Sequence, residues 1–157
     1  LVVMLPRKGA YVANISVKDL MDVLEIRASL EGLGASLAAE RRNDEDIKNL
    51  EELEVEFEEA VRTQNIDMLL KKDIEFHECI FKAANNKKLE KMINTLWEQV
   101  QRFRITYVSD SNASLSLIDE HQSILNAIKE GNIADSKKFA IKHIEKAEQF
   151  MLEHCTK

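Results

Sequence analysis

From Ser16 onward the apolar positions of the chain recur every three or four residues. Val23, Ile26, Leu30, Leu33 and Leu37 form the first such stripe, and Ser16 offers an N-cap side chain ahead of it. A second helix is predicted from Asn43 or Asp44, both capping residues, through Ile47, Leu50, Leu53, Phe57 and Val61, with glutamates on its other face. A third runs from about Asp67 to Ala84 through Leu69, Leu70, Ile74, Ile80 and Phe81, and Asn85-Asn86 breaks it. A fourth spans about Lys88 to Val108 through Leu89, Met92, Leu96, Val100, Phe103 and Tyr107. Residues 109–114, Ser-Asp-Ser-Asn-Ala-Ser, read as a loop. The fifth helix then covers about Leu115 to Glu130 and closes on Gly131 as a left-handed cap, while Asn132 caps a sixth that runs to about Glu153. Before Ser16 the pattern changes, because residues 1–12 are β-branched and aromatic around a Pro6-x-x-Gly9 turn, a hairpin signal. The predicted class is all-α: an antiparallel bundle of six or seven helices with a short N-terminal β stub.

Composition agrees with a turn-poor single domain, since 157 residues contain only 4 Gly and 1 Pro. No run of 18 apolar residues is present, so no membrane-spanning helix is expected. Net charge is −6, and setting aside Arg7 and Lys8 leaves 20 basic against 28 acidic residues after residue 13. Such a body repels phosphate and is not expected to bind nucleic acid itself. Cys79 and Cys155 form no Cys-x-x-Cys pair, which suits a reducing compartment and a cytoplasmic location. The chain starts at Leu1 with no basic-then-apolar leader, so it reads as a fragment or a processed product.

Histidine placement carries the chemistry. His77 shares a face with Leu70, Ile74, Phe81 and Ala84, His121 with Ile118, Leu125 and Ile128, and His143 with Phe139, Ala140, Ala147 and Phe150. If an apolar stripe covers about a third of a helix, all three would land on it by chance about one time in 27. Asp73 lies one turn before His77 on the same face, and a carboxylate and an imidazole at i and i+4 can grip one ion. Asp73, His77, His121 and His143 would present one oxygen and three nitrogens, a set suited to Zn²⁺, Ni²⁺ or Mn²⁺, with two octahedral positions left for water or an anion. The same pattern also fits core histidines satisfied by carbonyls or by Asp73. Arg27 and Arg104 flank apolar stripes on the first and fourth helices. Their guanidinium forks fit either a carboxylate ligand beside the ion or local ion pairs such as Arg27 with Glu31.

Enzyme signatures are mostly absent. No Glu-x-x-His, His-Glu-x-x-His or Gly-x-Ser-x-Gly motif occurs, and Gly32 and Gly34 lie inside a helix, where they serve close packing. A small metal-dependent hydrolase or isomerase using the same open site is the rival reading, but no spare inward carboxylate is evident to act as its general base.

The run Pro6-Arg7-Lys8-Gly9-Ala10-Tyr11-Val12 is followed by Asp19-Leu20, Val23-Leu24-Glu25-Ile26-Arg27, Leu30-Glu31 and Leu37-Ala38-Ala39. Further on come Asp73-x-x-x-His77-x-x-Ile80, Ala84, Asn86, Leu96-Trp97, Glu120-His121-x-x-Ile124, Ala127-Ile128, Gly131 and His143. In order and spacing this set resembles the FadR-like subfamily of GntR-family transcription regulators, over essentially the whole chain. The resemblance implies two parts. Residues 1–13 would be a remnant of the wing of a winged helix-turn-helix, with Arg7 and Lys8 contacting DNA. Residues 14–157 would be the helical effector-binding (FCD) and dimerisation domain. It further implies that Asp73, His77, His121 and His143 are metal ligands and that Arg27, and more loosely Arg104, meet a small organic acid effector. The expected protein is a non-enzymatic homodimeric regulator that reaches DNA through the winged domain. Gly32 and Gly34 depart from the alanine-like residues usual in the family, and Asn132 follows Gly131 where Asp is usual.

Overall fold

The computed structural model describes residues 2–5, 9–12 and 16–155, with side chains from Ser16 to His154. Among the described residues there are six helices: α1 Val17–Arg41, α2 Asp44–Arg62, α3 Ile66–Ala83, α4 Lys87–Ser109, α5 Ser111–Glu130 and α6 Ile133–Cys155. Strands β1 Val2–Leu5 and β2 Gly9–Val12 pair antiparallel, from Val2 opposite Val12 to Leu5 opposite Gly9. Arg7 and Lys8, expected to contact DNA, lie outside the described residues.

Each helix begins at a side chain that takes an orphan N–H. Ser16, Asn43, Asn65, Asn86 and Asn132 accept from the amide three residues on, at 2.9–3.1 Å, and Asp110 accepts from Asn112 and Ala113. Asn43 and Asp46 complete a reciprocal capping box. Gly131 ends α5 at φ 71° in the left-handed region, as its position predicts.

Two sequence expectations are corrected. Residues 111–114 are helical, and Asp110 alone separates α4 from α5, capping the end of one and the start of the other. Serine and asparagine favour turns locally, but burial of Ala113, Ser114 and Leu117 rewards a helix here. The predicted stripe on α1 turns to the core only in part, with Val23 buried and Leu30 and Leu37 packed against it. Ile26 and Leu33 are exposed, while Leu20, Leu24, Arg27, Ala28, Glu31, Ala35 and Ala38 are buried. The most hydrophobic stripe misleads because the inward face carries a polar centre.

α1 packs chiefly along α6, α2 along α3, and α5 bridges α2 and α6. The close approach of α1 needs its glycines. A Cβ on Gly34 would lie 2.7 Å from the Phe81 ring, and one on Gly32 the same distance from Ile141. Apolar clusters fill both ends of the bundle. Leu20, Leu24, Val108, Leu117 and Met151 belong to one, and Ala38, Leu50, Ile80, Ile128 and Ala140 to the other. Arg27, Glu54, Asp73, His121 and His143 occupy the levels between them. No described helix is long and apolar enough to cross a membrane.

Candidate metal centre

His77 from α3, His121 from α5 and His143 from α6 are 2%, 0% and 4% exposed, and one nitrogen from each lies within 4.8 Å of the others. The predicted convergence of the three inward histidines is therefore present. Asp73 reaches two of the three, with Oδ1 3.4 Å from His121 Nε2 and 4.0 Å from His77 Nε2.

Every histidine turns its other nitrogen to a carboxylate from another helix. His77 Nδ1 meets Glu31 at 3.1 Å, His121 Nδ1 faces Glu54 at 3.3 Å and His143 Nδ1 meets Glu120 at 2.8 Å. Ionised carboxylates only accept, so these contacts put a ring proton on each Nδ1, which leaves an Nε2 lone pair for the centre on His77 and His143 and, once it is deprotonated, on His121. His77 Nε2 and His143 Nε2 then face each other at 3.1 Å. Two lone pairs at that distance repel unless a proton or a metal cation lies between or beside them. Both nitrogens of His121 are buried without a well-formed hydrogen bond. Phe76 stacks on its ring at 4.2 Å and Phe57 packs at 4.7 Å, keeping water from that side. The donor set therefore fits a borderline divalent ion.

Asp73 gives its second oxygen to Arg104 Nε, and Arg104 Nη2 also donates to the Asp73 carbonyl at 3.2 Å. Arg27 Nε donates to Glu31 at 3.0 Å, as does Trp97 Nε1 at 3.1 Å. The Arg27–Glu31 ion pair left open by the sequence is thus made, yet both Nη amines of Arg27 lack a hydrogen bond among the described residues. They belong to the lining of a cavity of about 30 Å³, shared with Asp73, His77, Arg104, Tyr107 and His143. That volume holds about two waters.

Protonation follows from these neighbours. Burial drives His77 down to about 4 in spite of Glu31, and lowers His143 in spite of Glu120. His121 rises to about 9, because Asp73 and Glu54 together outweigh its burial. Burial opposes the charge on Asp73, but Arg104 and the histidines hold its carboxyl well below the usual range. Glu120 sits at about 2, with His143 and Lys146 overcoming its burial. Four carboxylates thus surround the centre, while the cations beside them are Arg27 on Glu31, Arg104 on Asp73 and Lys146 on Glu120. With His121 protonated the four charges are matched, and once His121 gives up its proton to an ion one negative charge is left over. A divalent ion would turn that to one positive charge.

Beyond Asp73 three further carboxylates face inward, Glu31, Glu54 and Glu120, but each is committed to a histidine and so is not a spare general base. Glu54 could have been found from sequence, since it falls within the apolar stripe Leu50, Phe57 and Val61. Glu120 reaches across to α6, which no spacing along α5 indicates. His154, near the chain end, is exposed and bonds the Phe150 carbonyl, away from the centre.

A helical bundle closed around a histidine–carboxylate core of this kind defines an all-α effector-binding domain. The model of the FCD domain matches residues 22–146, and the chain belongs to that family. Its relatives are transcriptional regulators rather than enzymes. The chain is 22% identical to the HTH-type transcriptional regulator YdhC of Bacillus subtilis, over 87% of this chain and 62% of that protein. It is 27% identical to LutR of the same organism, over 85% and 63%. The Nta operon transcriptional regulator of Aminobacter aminovorans is 27% identical over 93% of this chain and 68% of its own length. The chain therefore spans less than two-thirds of the first two relatives. Among solved structures, E. coli McbR/YncC superposes with a TM-score of 0.87 at 18% identity, covering 98% of this chain and 77% of that one. Streptococcus agalactiae GntR does so at 0.74 and 22%, covering 94% and 74%. At these identities the likeness is one of fold.

Proposed function

We propose that the chain is the sensing domain of a cytoplasmic bacterial transcription regulator, in which Asp73, His77, His121 and His143 hold a divalent metal ion and a small organic acid binds beside it. The observation that carries this reading is the division of labour at the three imidazoles, with Nδ1 turned to carboxylates and Nε2 to one point. A bound Zn²⁺, Ni²⁺ or Mn²⁺ would supply Lewis-acid positions for carboxylate oxygens. Arg27 offers its free Nη amines to the acid, and Arg104 keeps Asp73 oriented while lining the same cavity. The single positive charge left once the ion binds favours a monoanion, and the cavity volume favours one of a few heavy atoms. In this reading β1 and β2 are the stub of a wing whose Arg7 and Lys8 contact DNA, and the acid acts by differential affinity for two arrangements of the helices.

Elemental analysis of protein purified without a His tag should find about one metal per chain. Small monocarboxylates at about 100 times Kd should then stabilise the metal-loaded domain by about 2.7 kcal/mol, a rise of roughly 5–10 °C in Tm. The rise should vanish after chelation and in Arg27→Ala. Absence of metal, an acid effect indifferent to chelation, or conversion of the acid would overturn the reading.

The exposed Ile26 and Leu33 on α1 support a homodimer built on that face. Leu33→Asp should shift the protein from dimer to monomer in sedimentation velocity. An unchanged dimer would place the interface elsewhere.

A further inference from the structure

The three carboxylates behind the histidines are not held alike. Glu31 also accepts from Arg27 and Trp97, at 3.0 and 3.1 Å. Glu120 accepts from Ser116 and Lys146, at 2.6 and 2.7 Å. Glu54 has no such support. It comes from α2, which supplies no other polar side chain to the centre, is 4% exposed, and neither of its oxygens makes a hydrogen bond. Its charged neighbour is His121 Nδ1 at 3.3 Å, and His121 likewise has no hydrogen bond at either nitrogen. A carboxylate buried without donors is costly. No arginine or lysine among the described residues offsets it, so the counter-charge has to come through His121, whose Nε2 lies 3.4 Å from Asp73 Oδ1.

We propose that Glu54 is a positioning residue for the metal, holding His121 by its Nδ1 edge so that Nε2 faces Asp73 and the other histidines, and supplying a negative charge that no arginine or lysine among the described residues offsets. The proposal rests on the metal reading given above, and it makes α2 a participant in metal capture through one side chain that never touches the ion. Wedged between Phe57 and Phe76, the His121 ring depends on Glu54 for its orientation, because Glu54 is the carboxylate its Nδ1 faces, at 3.3 Å. Glu31 and Glu120 differ in that each is already paired with Arg27 or Lys146, so removing either disturbs a cation partner as well as a histidine.

Glu54→Gln in the full chain tests this. The variant keeps size and shape but loses the charge. Zn²⁺ affinity, measured by competition with a chromophoric chelator, should fall about 10- to 100-fold. The visible spectrum of the Co²⁺-loaded protein should change. A merely structural role would instead leave Zn²⁺ affinity and the Co²⁺ spectrum unchanged. In a His121→Ala background the Glu54→Gln exchange should add no further loss of Zn²⁺ affinity, and an additive loss would overturn the route through His121. Equal Zn²⁺ binding by Glu54→Gln and the parent chain overturns the role of Glu54 alone, whereas a parent chain that binds no Zn²⁺ overturns the metal reading itself.

Discussion

Replacing both His121 and His143 with alanine should abolish metal retention while leaving a helical protein. The two imidazoles come from α5 and α6, and each has its Nδ1 side occupied by a glutamate, so no neighbouring nitrogen can substitute for the lost Nε2. Binding free energies of about 10–16 kcal/mol for four-ligand zinc sites amount to about 3 kcal/mol per ligand. Losing two ligands should therefore cost about 6 kcal/mol, on the order of 10⁴-fold in affinity. Elemental analysis after purification without a His tag reads the loss, and far-UV circular dichroism verifies that the helices persist. Retention of one metal per chain by the double variant would refute the ligand assignment.

Arg104→Met should destabilise the metal-free protein by about 3–5 kcal/mol, the usual result of removing one partner from a buried ion pair. Arg104 and Asp73 are 6% and 3% exposed, and the guanidinium serves both the side chain and the backbone carbonyl of Asp73. Methionine preserves most of the apolar stem and gives up only a distant guanidinium contact with the Trp97 ring, so the loss reports chiefly the stranded carboxylate. Saturating Zn²⁺ should then stabilise Arg104→Met by more than it stabilises the parent, because the ion would return a counter-charge to Asp73. Urea denaturation with and without Zn²⁺ measures both quantities. A metal-free loss below about 1 kcal/mol, or equal stabilisation of the two proteins by Zn²⁺, would count against Asp73 as a ligand.

Much of this centre could be read from spacing. His77, His121 and His143 all lie on inward faces, and so does Asp73 one turn before His77, because a helix repeats its face every three to four residues whatever it packs against. The caps at Asn43, Asn86, Asp110 and Gly131 are equally local. The misreading of residues 111–114 came from the same dependence on local signals, since serine and asparagine speak for a turn until the burial of Leu117 is known. On α1 the error ran the other way: Ile26 and Leu33 marked the more hydrophobic stripe, but the inward face was the one carrying Arg27 and Glu31. Hydrophobicity locates a core face only where the core is wholly apolar.

By itself the chain determined its helices, most of their boundaries and which faces bear histidine, because these depend on hydrogen bonds and periodicity within a few residues. Only the tertiary structure decided that three histidines from three helices meet within 4.8 Å. It also decided that their second nitrogens are occupied by Glu31, Glu54 and Glu120, at sequence separations such as 46 and 23 residues for His77–Glu31 and His143–Glu120. Those pairings follow from how α1, α2 and α5 stack against α3 and α6, and the period of a single helix holds no information about the rotation or height of its neighbour.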